Sequence, residues 1–294
     1  MPAFIATFTL LTFAILALWV PSNEQRPVAS LTWGFPFAAS VLVAFVGEIL
    51  SLPALFWIVM FAVAVRIFRP RSRARPLRLV ALGVVTVLAA GMMTHQLPGF
   101  HNPTLVAPQK FTADAIPFRL HLNFDKTAVG LILLGLCHPR MHRVAEWRLM
   151  FIQAGPIALG LIALIMGLAF AFGYVRFEPK FPRETWLWMW VNLCFTCVAE
   201  EAVFRGFIQR QLQQALSNVR GGAWLALGVA AVLFGLAHFG GGATYVILAT
   251  VAGAGYGWAY LRTGRIEASI LTHFALNATH FLGFTYPALV PRSN

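Results

Sequence analysis

The stretch Trp186-Leu187-Trp188-Met189-Trp190-Val191-Asn192-Leu193-Cys194-Phe195, followed closely by Ala199-Glu200-Glu201-Ala202-Val203-Phe204-Arg205-Gly206, decides how the chain is read. Its first part has no charge at all. Its second part sets two adjacent carboxylates at the end of that run, where each ionised group loses hydration. On a helix Glu201 and Arg205 are four apart, with the acid first, the favourable order for a pair on one face. Glu200 lies about 100° round the axis, so the arginine does not readily serve both acids. Glu201 is therefore assigned to Arg205, and Glu200 is set apart as the candidate for chemistry.

The 294 residues of the whole chain have the same character. They are 59% hydrophobic and 14% aromatic overall, with 11% charged residues and a mean hydropathy of +0.73. Soluble domains carry about 25% charge, and a soluble protein of this size has no interior large enough for so much apolar surface. The apolar runs are continuous rather than alternating, which excludes a membrane β-barrel. The expected fold is an all-α, polytopic transmembrane bundle of about eight to ten spans. A net charge of +12 suggests nucleic acid in a soluble protein; here the basic residues flank apolar segments and set orientation, so no nucleic-acid partner is expected. Cys137, Cys194 and Cys197 lie in or beside apolar runs. They imply no disulfide framework, and Cys194-x-x-Cys197 reads as packing rather than a redox pair.

Candidate spans are 3–20, 31–47, 53–68, 79–94, 124–137, 149–173, 187–204, 223–239, 244–261 and 268–286. No basic residue precedes Arg26, so the first run reads as a span and not a cleaved signal. Alternation puts 66–78, 138–148, 205–222 and 262–267 on one side. With Arg26, that side collects 15 of the 22 basic residues, including Arg66, Arg69, Arg71, Arg73, Arg75 and Arg78. The other side has seven: Lys110, Arg119, Lys126, Arg176, Lys180, Arg183 and Arg292. The positive-inside rule then gives ten spans with both termini on the outer side, as in a multi-pass protein of a bacterial plasma membrane. Segment 95–123, with His95, His101, His121 and four prolines, reads as an irregular outer loop with solvated histidines. The chain is expected to form one membrane domain, 1–294, with accessory spans in 1–148 and a catalytic core in 149–294.

Polar groups recur through the last spans. After the acid doublet come Phe234-Gly235-Leu236-Ala237-His238 and then His273-Phe274-Ala275-Leu276-Asn277-Ala278-Thr279-His280. His273, Asn277 and His280 share one helical face. Singly, each histidine or asparagine reads as a packing residue that hydrogen-bonds between helices. Together, Glu200, His238, His273 and Asn277 are hard to bury unless they face one another around water. Such a set can hydrolyse a peptide bond, with Glu200 as general base, a histidine orienting the water and Asn277 donating to the oxyanion. Only two aspartates exist, Asp114 and Asp125, and no His-Glu-x-x-His or Gly-x-Ser-x-Gly motif is present. Glutamate-based chemistry is what remains.

In order, Glu200-Glu201-x-x-x-Arg205, Phe234-x-x-x-His238 and His273-x-x-x-Asn277 resemble the three motifs of the CPBP family. That family holds the type II CAAX prenyl endopeptidases and the bacterial bacteriocin-processing or self-immunity (Abi) proteins. The likeness covers about 80 residues, and the three motifs in combination are specific. It implies an intramembrane endopeptidase that opens toward the cytoplasm and acts on a membrane-embedded or lipid-anchored peptide. Glu200 would activate water, His238 and His273 would support it, Asn277 would complete the oxyanion site, and Glu201 with Arg205 would be a structural bridge. The same likeness implies either no cofactor or a zinc ion on Glu200, His238 and His273, and the metal-free form is favoured. Two readings from other classes stand beside it: a catalytically idle binding or immunity protein of the same fold, and a proton-coupled transporter. The transporter ranks last because the chain lacks paired interrupted helices in two halves.

Overall fold

The computed structural model describes residues 2–20, 31–69 and 74–290, with the side chain of Leu31 left out. Arg26, Arg71, Arg73 and Arg292, four of the residues that set the expected orientation, lie outside the described residues. Each expected span coincides with a helix. They are α1 (Ala3–Ala17), α2 (Leu31–Val46), α3 (Leu52–Phe68), α4 (Arg75–Met93), α5 (Phe124–Cys137) and α6 (Val144–Ala171). Next come the continuous helix α7 (Thr185–Ala215), then α8 (Gly222–Leu236), α9 (Gly242–Thr263) and α10 (Ile266–Gly283).

Among the described residues, α4, α6 and α7 are long and apolar enough to cross a membrane, and a fourth span is added if α8 and α9, bent by 55°, count as one. Helices α1, α2 and α3 are apolar but shorter. In α4 and α6 only 28% of the apolar window is buried inside the protein, against 72% in α7. Side chains such as Phe151, Ile152, Leu159 and Phe170 stand on the outside of α6. Apolar surface on that scale needs lipid around it. The protein is a predominantly helical, all-α-class integral membrane protein.

The chain forms two compact units. The first is drawn from Met1–Pro103, Leu122–His142 and Cys194–Gly206. In it α1 packs on α2, α3 on α4, and α5 against α3, α4 and the Val198–Glu201 turn of α7. Phe8 lies at its centre, wholly buried, in edge contact with Phe124 at 6.1 Å and Phe195 at 5.5 Å. Ser40 Oγ donates to the carbonyl of Thr7 at 3.0 Å, tying α2 to α1 without leaving its hydroxyl stranded in an apolar core.

The second unit is drawn from Thr104–His121, Arg143–Leu193 and Phe207–Asn294. Here α9 packs against α6, α8 and α10. Small residues make this possible: a methyl group at Gly255 would sit 2.4 Å from Leu161 Cδ2, and one at Gly257 would sit 2.8 Å from Gln209 Oε1. Gln209 Nε2 donates to the Gly257 carbonyl at 3.1 Å. Trp188 stacks on Phe281 at 4.2 Å and donates its Nε1–H to the Tyr286 hydroxyl. At the head of α7, Arg183 hydrogen-bonds Glu184 and so holds that carboxyl below the ordinary carboxylate range.

Two expectations are corrected. Segment 95–123 is not wholly irregular: β1 (Thr104–Gln109) and β2 (Phe118–His121) form an antiparallel ribbon with register shifts at both ends of Val106. Pro108 sits inside β1, which a two-stranded ribbon tolerates because each strand keeps an open edge. The acid doublet also does not end its helix. Helix α7 continues through Arg205 to Ala215, so Glu200 and Glu201 stand in its middle.

Candidate functional site

The doublet lies on an α-helical turn, Val198–Glu201, between two wider π-helical stretches, Asn192–Cys197 and Ala202–Gln209. Such stretches interrupt the regular ladder and recur at functional positions. Cys194 and Cys197 are buried and not disulfide-bonded, in keeping with packing.

In the first unit Glu201 and Arg205 have no exposed surface, and Arg205 Nη1 meets Glu201 Oε1 at 3.0 Å. This is the bridge expected from the spacing. Glu200 is buried beside it, at 7% exposure. A residue that the sequence reading counted only as a topology charge reaches it: Lys126 Nζ stands 3.9 Å from Glu200 Oε1. The contact depends on Gly130, one turn further along α5. A methyl group there would lie 2.5 Å from Ala199 Cα, so only glycine lets α5 run this close to the doublet. At the other end of α5, the ring of His138 donates Nε2–H to the Gly206 carbonyl at 2.8 Å, and a methyl at Gly206 would meet the same nitrogen at 2.7 Å.

The start of α5 is held by a polar cluster. Asp125, 1% exposed, receives His95 Nδ1 at 2.6 Å and Asn102 Nδ2 at 3.0 Å, while Asn102 Oδ1 accepts the Phe124 amide at 2.8 Å. His95 is exposed, as expected of a loop histidine, but it also has a structural partner. It pairs with a buried carboxylate, whose desolvation the pairing offsets. An open groove elsewhere in this unit, lined by Glu48, Ser51 and His101 among apolar residues, contains none of the motif residues.

In the second unit His238 and His273 share one aromatic neighbour, Phe234, at ring separations of 4.6 and 5.7 Å. His238 Nδ1 lies 2.7 Å from the Phe234 carbonyl. A carbonyl only accepts, so Nδ1 carries the hydrogen and Nε2 presents a lone pair. Tyr245 stands edge-on to the same imidazole at 5.4 Å. His273 is stacked on Tyr256 at 4.5 Å with the rings 14° from parallel. Asn277 Nδ2 donates to Asn192 Oδ1 at 3.3 Å, which orients the amide. His280 packs against Tyr286 at 5.0 Å, the packing role its position suggests. Among the described residues no group of three or more His, Cys, Asp or Glu side chains is arranged to hold a metal ion.

The sequence reading named the acids, histidines and asparagine. It missed Lys126, His138, Tyr245, Tyr256 and Asn192. Of these only Asn192 carried a local signal, as the one polar residue in the quoted apolar run.

Residues 182–279 match the family model described as type II CAAX prenyl endopeptidase Rce1-like. The matched segment contains Glu200, Glu201, Arg205, His238, His273 and Asn277. The motif-bearing part of the chain is thus similar to the type II CAAX endopeptidases, in keeping with the resemblance of its motifs. No curated protein and no solved structure matches the chain.

Proposed function

We propose that this chain is an intramembrane endopeptidase that hydrolyses a peptide bond in a membrane-associated substrate. Glu200 takes a proton from a water molecule, which then attacks the scissile carbonyl. Asn277 donates to the developing oxyanion, a contribution of about 3 kcal/mol in hydrolases of known mechanism. His238 and His273 orient the water or pass its proton to the leaving amine. The hydrogen bond from His238 Nδ1–H to Phe234 supports this role, because it leaves Nε2 as the acceptor. Glu201 and Arg205 are structural. The substrate is held in the bilayer by its own apolar segment or by a lipid.

The match over 182–279 supports this reading most, since one family segment holds all six motif residues. The test compares the termini of membrane proteins in cells carrying the wild-type chain with those in cells carrying Glu200→Gln. Termini that depend on Glu200 are expected. Identical termini in the two strains would overturn the reading and fit an idle binding protein instead. Zinc on Glu200, His238 and His273 is the alternative cofactor state. Elemental analysis of purified protein is expected to show no stoichiometric zinc, and Glu200-dependent cleavage is expected to survive a chelator.

A further inference from the structure

We propose that Lys126 is a positioning residue for Glu200, so that α5, outside the family-matched segment, supplies part of the working site. This rests on the reading of Glu200 as the group that activates water. Three features of the first unit carry it. Lys126 Nζ is 3.9 Å from Glu200 Oε1, and the side chains are only 23% and 9% exposed, so little solvent screens the pair. Gly130 lies on the same face of α5, four residues on, and is the only residue type that allows the backbone approach to Ala199. The residue before Lys126 is anchored: Asp125 Oδ1 accepts both the Lys126 amide at 2.9 Å and Asn102 Nδ2 at 3.0 Å, and Oδ2 faces His95 Nδ1. The first turn of α5 is thus fixed at its backbone, and the ammonium is delivered to one carboxylate oxygen.

A lysine suits this place better than an arginine already committed to Glu201. Its charge is compact and sits on a flexible stem. It can hold one oxygen of Glu200 while the other oxygen turns toward water. The pair balances the carboxylate's charge in a poorly solvated setting and limits its rotamers, which is the preorganisation a general base needs.

The test uses the full-length protein in detergent and reads the Glu200 carboxylate directly. Infrared carboxylate stretching bands are assigned to Glu200 by their loss in Glu200→Gln. They are expected to shift in Lys126→Met and to return toward wild type in Lys126→Arg. In parallel, Lys126→Met should lower Tm in the wild-type background and by less than about half as much in Glu200→Gln, because paired groups are not additive. Bands that do not move in Lys126→Met, or equal Tm losses in both backgrounds, would overturn the proposal. If Lys126→Met does not fold, Lys126→Gln serves the same comparison. Coupled bands together with Glu200-independent cleavage would keep the pair and remove the proposed function. A dead Glu200→Gln with unmoved bands would do the reverse.

Discussion

Arg205 has no exposed surface, and its partner Glu201 has none either. Two charges so placed attract strongly but have each lost their hydration, so the pair matters most when it is broken. Arg205→Ala is expected to cost about 3–5 kcal/mol, because it leaves a buried carboxylate without this cation. A marked fall in Tm or in folded yield would show it, and wild-type thermal stability would argue against a structural bridge. At this scale the sequence was legible where partners lie within one turn. Glu201 and Arg205 announce each other by spacing. Lys126 does not, because its contact with Glu200 exists only through the packing of two helices far apart in the chain. His95 is similar: nothing in its neighbourhood points to Asp125, with which it pairs at 2.6 Å.

Helix α5 has only 14 residues, yet it supplies several of the contacts around the doublet. Its glycine makes the approach, its lysine reaches Glu200, and His138 just beyond its end bonds the Gly206 carbonyl. Gly130→Ala should push α5 off the Val198–Glu201 turn, since the obstacle is backbone rather than a side chain that could swing away. A loss of about 1–3 kcal/mol is expected, as for other overpacked contacts. Thermal unfolding would measure it, and an unchanged Tm would mean that the helices do not approach this closely. Helix existence was readable from hydropathy alone, because every apolar run of sufficient length is helical. The π-helical stretches beside the doublet were not, since nothing local in Asn192–Cys197 or Ala202–Gln209 separates them from ordinary helix. The β ribbon was hidden by prolines that read as breakers; of these, Pro108 sits inside β1, while Pro103 and Pro117 immediately precede the two strands.

For the molecule as a whole, composition settled the environment before any contact was known. Helices α4 and α6 show most of their apolar windows outward, and only lipid satisfies that surface. Orientation is a separate matter. Ten crossings with both termini on the outer side is our proposal from the distribution of arginine and lysine. Reporter domains fused in the 70–75 segment and at the C-terminus are expected on opposite sides of the membrane. Signals from the same side would remove that topology.

Glu200 is the central residue of the 31-residue helix Thr185–Ala215, so about 22 Å of helix runs to either end. The hydrocarbon half-thickness is about 15 Å, less than either arm. With that helix centred in the bilayer, a bond brought to Glu200 has left bulk solvent behind, and an amide still locked in a helical ladder offers no accessible carbonyl there. Under the proposed function, freely diffusing peptides are therefore expected to go uncut. The substrates expected of the proposed endopeptidase are loose chain ends dragged down by a greasy tail, which unwind as they arrive.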